Sequence, residues 1–157
     1  MENTRNKEYY ISEFKKTEQS MNGEASSAFH QLRKNAIAKF DEMGFPTVKN
    51  EDWKYTNVNA LLEYDFTHGS DIKLSKKDVA QFLIKGLAEN MVVFVNGIYS
   101  PEHSYIQKQD EGIIIESLND VLKNNPESVL SHFGNYAGMD NGFTALNTAF
   151  AKEGTVI

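Results

Sequence analysis

Residues 50–59 read NEDWKYTNVN and bring together two adjacent carboxylates, a lysine, a tyrosine and the single tryptophan of the chain. Glu51 and Asp52 could divide acid and base roles if one were buried and the other solvated. Adjacent carboxylates in a loop are more often solvated, or used to cap a turn. We therefore assign no catalytic residue, and an acid–base enzyme using Glu51, Asp52 and Tyr55 stays an alternative.

The two aromatic residues of this stretch could serve either the core or a partner. In an extended loop Trp53 and Tyr55 would point to one side, with Lys54 and Thr56 on the other. Buried, each ring would anchor the loop by removing about 150–250 Å² from water. Exposed, the rings would form a patch for a partner. We favour the anchor, and a stand-alone peptide-binding adaptor is the second alternative.

The remaining groups that could bind a metal are sparse. The histidines are His30, His68, His103 and His132, and no two are spaced to share a helix face. His30 and His132 are expected to pack at the core edge or to be solvated, and His103-Ser104 has no identified acid to complete a triad. Without cysteine, the chain offers no thiolate for a metal or an iron–sulfur cluster. We expect no metal or cofactor site in these residues.

The length and charge of the chain restrict its class. The 157 residues include 16 basic and 22 acidic side chains, for a net charge of −6, without a basic stripe for nucleic acid. The longest apolar run, Met91 to Val95, is far shorter than the roughly 20 residues of a membrane span. The N-terminus lacks the apolar core of a signal peptide. We expect a cytoplasmic protein with neither nucleic-acid nor membrane partners.

Helical spacing of apolar residues predicts the elements that position these groups. Ile11 to Met43 should form two helices, separated at Asn22-Gly23, with Phe29, Leu32, Ala36, Phe40 and Met43 on the apolar face of the second. Gly44 should end that helix, and residues 44–57 should form a loop. A capping box at Ser75-Lys76-Lys77-Asp78 predicts a short helix ending near Gly86.

Strand and cap signals follow in the second half. The run MVVFVNGIYS predicts a hairpin with Asn96-Gly97 in a type I′ turn, and residues 112–116 predict a further strand. Ser117 and Pro126 should begin helices. A last helix from Asn141 to Gly154 should bury Phe143, Leu146 and Phe150. The fold class is α+β: an N-terminal helical hairpin (1–43), then a small mixed portion of short helices and a β-hairpin (44–154).

Three blocks along the chain carry a resemblance to a known family. They are Phe45-Pro46-Thr47-x-x-Asn50-Glu51-x-Trp53-Lys54-Tyr55-Thr56-Asn57, then Val93-Phe94-Val95-Asn96-Gly97 with Ser100-Pro101-Glu102, then Ala145-Leu146-Asn147-Thr148-Ala149-Phe150. In this order and spacing they resemble the start of SufD-like proteins, of the SufB/SufD family in the SUF iron–sulfur cluster assembly system. The motif residues taken as structural or partner contacts are Pro46, Asn50, Glu51, Trp53, Lys54, Tyr55, Thr56, Asn96, Gly97 and Asn147.

The resemblance implies a larger protein and a set of partners. SufD-like proteins continue into a long right-handed parallel β-helix, so residues 155–157 would be the start of a truncated β-helix domain. They pair with SufB and dock on SufC, which uses ATP. The cluster-assembly residues of the family lie in that later region, so none is carried over. We expect a non-catalytic scaffold and protein-interaction domain of a SufBCD complex, with SufB and SufC homologues as partners.

Overall fold

A computed structural model describes residues 7–21, 26–64, 72–86, 90–106 and 115–157. Its helices are α1 (Lys7–Gln19), α2 (Ala28–Met43), α3 (Asn59–Leu62), α4 (Lys76–Ala80), α5 (Leu118–Asn124), α6 (Pro126–Leu130) and α7 (Gly142–Ala149). Its strands are β1 (Asn90–Met91), β2 (Phe94–Val95), β3 (Ile98–Tyr99), β4 (Tyr105–Ile106), β5 (Glu116–Ser117) and β6 (Thr155–Val156). Helices combined with short antiparallel strand pairs confirm the predicted α+β class.

The described residues fall into two compact units. The first contains α1 to α3 with α6 and α7, and the second contains α4, α5 and the six strands. The division into 1–43, 44–154 and 155–157 concerns domain organisation and stays a prediction. Across the described ranges, no helix combines the length and the apolar character needed to cross a bilayer.

In the first unit, α2 contacts α1, α6 and α7. Ser27 caps its start by accepting from the backbone N–H of His30 at 3.1 Å. Gly44 ends it with a positive φ of 67°, which favours glycine, and donates its N–H to the Phe40 carbonyl at 2.7 Å. The predicted glycine stop is therefore confirmed. The predicted break at Asn22-Gly23 lies outside the described residues.

The buried face of α2 differs from the predicted one. Phe29, Arg33, Ala36 and Phe40 are buried at spacings of four, three and four residues, whereas Leu32 is half-buried and Met43 is exposed. The charged side chain of Arg33 thus occupies a core position of the helix, and its hydrogen bonding explains how it is accommodated there.

Arg33 is 5% exposed and donates from Nε to the backbone carbonyl of Ala149 at 2.9 Å. That carbonyl is at the C-terminal end of α7, where the helix dipole favours a positive charge. The guanidinium carbon also lies 5.9 Å from the centroid of the Phe14 ring. Arg33 therefore links α2 to the end of α7.

The small residues of α7 face inward. The helix begins close to Asn141, as predicted, and Asn141 caps it by accepting from Thr144 N–H at 2.9 Å; the buried residues are Gly142, Ala145, Thr148 and Ala149. The expectation that Phe143, Leu146 and Phe150 form the buried face is wrong, since all three are half-buried. Small side chains let α7 approach α2 closely, so the large ones pack around the contact. The helix also ends at Ala149, before Gly154.

The second unit is built from short pairs of strands. β2 and β3 pair antiparallel with Phe94 opposite Tyr99, and Asn96 and Gly97 have φ angles of 51° and 83°. These angles fit the predicted type I′ hairpin turn. β1 pairs with β4, and β5 pairs with β6, both antiparallel. Whether β6 continues into a parallel β-helix stays a prediction.

Local caps in this unit follow the sequence closely. Ser75 and Asp78 form the predicted capping box, with Asp78 Oδ2 accepting from Ser75 N–H at 2.8 Å. The helix that follows ends at Ala80 and not near Gly86. Ser117 caps α5 by accepting from Asp120 N–H at 3.1 Å. Of the strand predicted over residues 112–116, residues 112–114 lie outside the described ranges.

Gly142 gives a direct test of the close approach between α7 and α2. A Cβ atom at this position would overlap the Gly44 carbonyl oxygen and lie 3.0 Å from its carbonyl carbon. Because both atoms belong to backbone, Gly142→Ala should lower the free energy of unfolding by about 2 kcal/mol, despite the better helix propensity of alanine. Urea denaturation followed by circular dichroism measures the change.

The matched control is Gly138→Ala in the loop before α7. Its nearest neighbours would be side-chain atoms of Asp140, at 3.8 Å or more. We expect its unfolding free energy to stay within about 0.5 kcal/mol of the parent. Equal stability of the two variants would show that the close approach does not exist.

Glu18 joins α1 to a buried histidine on α2. His30 is 1% exposed, and its Nε2 lies 3.0 Å from Glu18 Oε1, with Lys34 Nζ at 3.4 Å. The hydrogen bond with His30 is the main cause that lowers the pKa of the Glu18 carboxyl below its ordinary value of 4.5, and Lys34 adds to it. A lowered pKa means that the ionised carboxylate stabilises the folded state.

This stabilisation should be present above about pH 5 and be lost as the pH falls through the lowered pKa of Glu18. Glu18→Gln should cost about 1 kcal/mol at neutral pH, and its difference from the parent should shrink in acid. Unfolding free energies measured from neutral pH to about pH 3 test this. Lys34→Met should keep most of the pH dependence, because His30 is the larger cause. A difference between parent and Glu18→Gln that does not vary with pH would contradict the assignment.

Candidate functional site

The loop that follows α2 is held by short polar contacts. Pro46 is buried, and Asn50 Oδ1 accepts from the backbone N–H of Thr47 at 2.9 Å and from its hydroxyl at 3.2 Å. The Asn50 N–H donates back to the Thr47 carbonyl at 2.9 Å. Asparagine side chains stabilise turns in this way. Asn50 thus stabilises the turn at Thr47, next to the buried Pro46.

Residues Glu51–Trp53 form one turn of 3₁₀ helix. The Trp53 N–H donates to the Asn50 carbonyl at 2.9 Å, and Thr56 N–H donates to the Trp53 carbonyl at 2.9 Å. The half-buried indole packs on the Phe143 ring at a centroid distance of 5.3 Å. Phe143 in turn contacts Phe45 at 5.5 Å. Trp53 thereby ties the loop to the first turn of α7.

Tyr55 has the opposite environment. It is 91% exposed, and the Lys54 ammonium lies 5.6 Å from its ring centroid. The expectation that Trp53 and Tyr55 share one face is wrong, because residues 51–53 turn as a 3₁₀ helix and the period-two alternation of an extended chain is lost. One aromatic residue anchors the loop, and the other is presented to solvent.

The polar residues around Tyr55 are accessible. Glu51, Asp52, Thr56 and Asn57 are exposed, and Asn57 Oδ1 accepts from the Asn59 N–H at the start of α3, at 3.0 Å. An acid–base site at this loop requires at least one buried carboxylate, and neither Glu51 nor Asp52 is buried. Over the described parts of the chain, no three His, Asp or Glu side chains converge as metal ligands would.

In the second unit, the residues near the Asn96-Gly97 turn are used in structural contacts. His103 pairs with Ser100, since its Nδ1 lies 2.8 Å from Ser100 Oγ, and its Nε2 lies 2.9 Å from the Leu74 carbonyl. Ser104 donates to the Ser100 carbonyl at 2.7 Å and accepts from Val93 N–H at 2.9 Å. A triad needs a carboxylate on the far ring nitrogen, and a backbone carbonyl occupies that place.

Asn147 is the exposed member of the third motif block, while its neighbours Thr148 and Ala149 are buried. The residue that sequence reasoning missed there is Arg33, which binds the Ala149 carbonyl. A signal was available, because position 33 continues the helical spacing of Phe29, Ala36 and Phe40.

The histidines are not brought together. His30 lies against the core, stacked on Phe14 at a centroid distance of 6.0 Å, while His132 is exposed and His68 lies outside the described residues.

Comparison with known proteins assigns the chain to a protein family. The family model described as the SufBD protein N-terminal region matches residues 4–157. The chain belongs to this family. The match confirms the predicted SufB/SufD resemblance over nearly the whole sequence, and the narrower assignment to SufD stays a prediction.

A curated relative gives a second comparison. An iron–sulfur cluster assembly SufBD family protein of Synechocystis sp. is 23% identical over 141 residues, which cover 89% of this chain. The chain spans 31% of the length of that relative. No solved structure matches the chain significantly.

The contrast between Trp53 and Tyr55 predicts opposite effects of truncation in this SufBD region. Trp53→Ala removes a half-buried ring from Phe143 and should lower the free energy of unfolding by about 2 kcal/mol. Tyr55→Ala removes an exposed ring and should change it by less than about 0.5 kcal/mol. Thermal denaturation of the two variants beside the parent measures the difference. If Tyr55→Ala were the more damaging change, the described geometry of the loop would be wrong.

Proposed function

We propose that this chain is the N-terminal domain of a SufD-like subunit, acting as a non-catalytic scaffold and protein-interaction module in an iron–sulfur cluster assembly complex. Its partners would be SufB and SufC homologues, and its location the cytoplasm. The observation that carries the proposal is the family match over residues 4–157. The relative named for iron–sulfur cluster assembly supports it.

The chemistry of the site supports the non-catalytic part of the proposal. Among the described residues, the candidate carboxylates Glu51 and Asp52 are exposed on the loop, and His103 and Ser100 are used in structural hydrogen bonds. The sequence contains no cysteine, so it supplies none of the thiolates that usually hold iron–sulfur clusters. We propose, as the family resemblance implies, that ATP hydrolysis belongs to the SufC homologue and that cluster chemistry takes place outside these residues.

The geometry of the loop supports the interaction part. Tyrosine is enriched among the residues that dominate binding energy at protein interfaces. Tyr55 is almost fully exposed, yet the turns at Asn50 and Trp53 already order the backbone on which it sits. A partner that covers Tyr55 would order one side chain and little backbone, which lowers the entropic cost of association. Lys54 and Glu51 beside it offer charges of both signs at the rim.

Reconstitution tests the assignment. The full-length protein mixed with SufB and SufC homologues should elute from a sizing column as one complex. Residues 1–157 alone should neither hydrolyse ATP nor show the visible absorption of an iron–sulfur cluster after incubation with iron and sulfide. A stable cluster spectrum from residues 1–157, or no complex with the full-length protein, would contradict the proposal.

A single variant then tests the loop as the contact. Tyr55→Ala in the full-length protein should weaken the complex by about tenfold or more, the usual range for a buried interface tyrosine, without a change in melting temperature. Tyr136→Ala is the matched control, since Tyr136 is also an exposed aromatic of the first unit, at 84%. If the two variants had the same affinity as the parent, the contact would lie elsewhere.

A further inference from the structure

A groove in the second unit has apolar walls and no assigned role. It is an open groove with a volume of about 640 Å³ between α4 and the strands β1 and β2. Its apolar lining includes Leu74, Val79, Phe82, Met91, Val93 and Phe94. Phe82 is 78% exposed and Phe94 is 47% exposed, so both aromatic side chains that line the groove keep a substantial part of their surface in contact with water. Exposed apolar surface of this kind is typical of a binding site.

The charge beside the groove has the opposite sign to the chain. Residues 72–86 contain four exposed lysines, Lys73, Lys76, Lys77 and Lys85, and one acid, Asp78, for a net charge of +3. The whole chain carries −6. Asp78 lines the groove, but its carboxylate is engaged by the Ser75 N–H and hydroxyl in the capping box. Lys73, Lys76, Lys77 and Lys85 therefore flank, along the chain, the residues that form one wall of the groove, and their exposed ammonium groups would attract an anionic ligand.

The backbone of the groove wall favours side-chain recognition. The Val93 N–H already donates to Ser104 Oγ, and its carbonyl already accepts from the Ser100 N–H at 2.9 Å. An added strand would need such backbone groups to be free. An amphipathic helix needs only apolar side chains at every third or fourth position, which fit between Phe82 and Phe94. The concave shape also suits inserted side chains better than the flat surface of a bilayer.

We propose that this groove binds an amphipathic helix of a partner protein, with apolar side chains inserted between Phe82 and Phe94 and acidic side chains facing Lys73, Lys76, Lys77 and Lys85. The proposal is independent of the role proposed for the Tyr55 loop, because the two surfaces belong to different units. A negative result for the groove would therefore not contradict the proposal for the Tyr55 loop, and the reverse also holds.

Fluorescence anisotropy with two labelled helical peptides tests the chemistry of the ligand. One peptide carries leucine at every third or fourth position with glutamate between, and the other carries lysine in place of glutamate. The glutamate peptide should bind at least about tenfold more tightly, and its affinity should fall as salt is added. Equal binding of both peptides, or no binding of the glutamate peptide, would overturn the proposal.

Variants locate the binding surface. Phe82→Ala should lower the affinity for the glutamate peptide by about tenfold or more. Ile98 is an exposed apolar residue outside the groove lining, and Ile98→Ala should change that affinity by less than about twofold. Neither residue is buried, so both variants should keep the parent melting temperature. If Ile98→Ala weakened binding as much as Phe82→Ala, the groove would not be the site.

The lysines are tested by reversing charge. Lys76→Glu with Lys77→Glu places acids in the first turn of α4, where they favour the helix, and should lower affinity by about fivefold or more together with its salt dependence. Lys152→Glu is the control in the same unit.

Two other occupants of the groove, a membrane surface and a second copy of the chain, give different results. Binding to anionic phospholipid vesicles instead of the glutamate peptide, or self-association that Phe82→Ala abolishes, would each overturn the proposal.

Discussion

The contact of Gly142 with the backbone of Gly44 fixes where the loop after α2 (residues 44–57) begins. Gly44 ends α2 and starts the loop, and Gly142 starts α7 with no side chain between them. Phe143, the next residue, then lies against both Phe45 and Trp53. The aromatic anchor of the loop therefore depends on a backbone approach between residues nearly a hundred positions apart. Tyr55 owes its exposed position to that approach, because Trp53 holds the turn before it.

A second constraint acts at the opposite end of α7. Arg33 reaches the Ala149 carbonyl, so one side chain of α2 satisfies the last turn of α7 while Gly44 packs against the first. Burying a guanidinium is costly unless it is hydrogen-bonded. Bonding to a helix C-terminus offsets part of that cost, because the dipole adds to the hydrogen bond. The pairing of α2 with α7 is thus specified at both ends, by shape at one and by polarity at the other.

The sequence predicted features that are determined within three or four residues. The Ser75–Asp78 capping box, the Ser117 cap, the Asn96-Gly97 turn and the Gly44 stop all depend on neighbours along the chain, and all were found. The inward face of α7 and the burial of Arg33 were not predicted, because they depend on how closely two distant helices pack. The Trp53 and Tyr55 pair was misjudged for a related reason: a single 3₁₀ turn, stabilised by short polar contacts, separates the two rings that an extended chain would place on one side.

The distinction between local contacts and long-range packing also explains why apolar side chains of the second unit stay exposed to water. Among its described residues, the buried apolar side chains are Val79, Leu118 and Val121, whereas the larger Phe82 and Phe94 stay exposed. Strands of two residues and helices of five to seven hold well locally, through caps and turns, but they cover little surface. Such a unit gains little free energy from its own core. A ligand that fills the groove would add buried area where the fold itself lacks it, so binding there would also stabilise the unit by mass action.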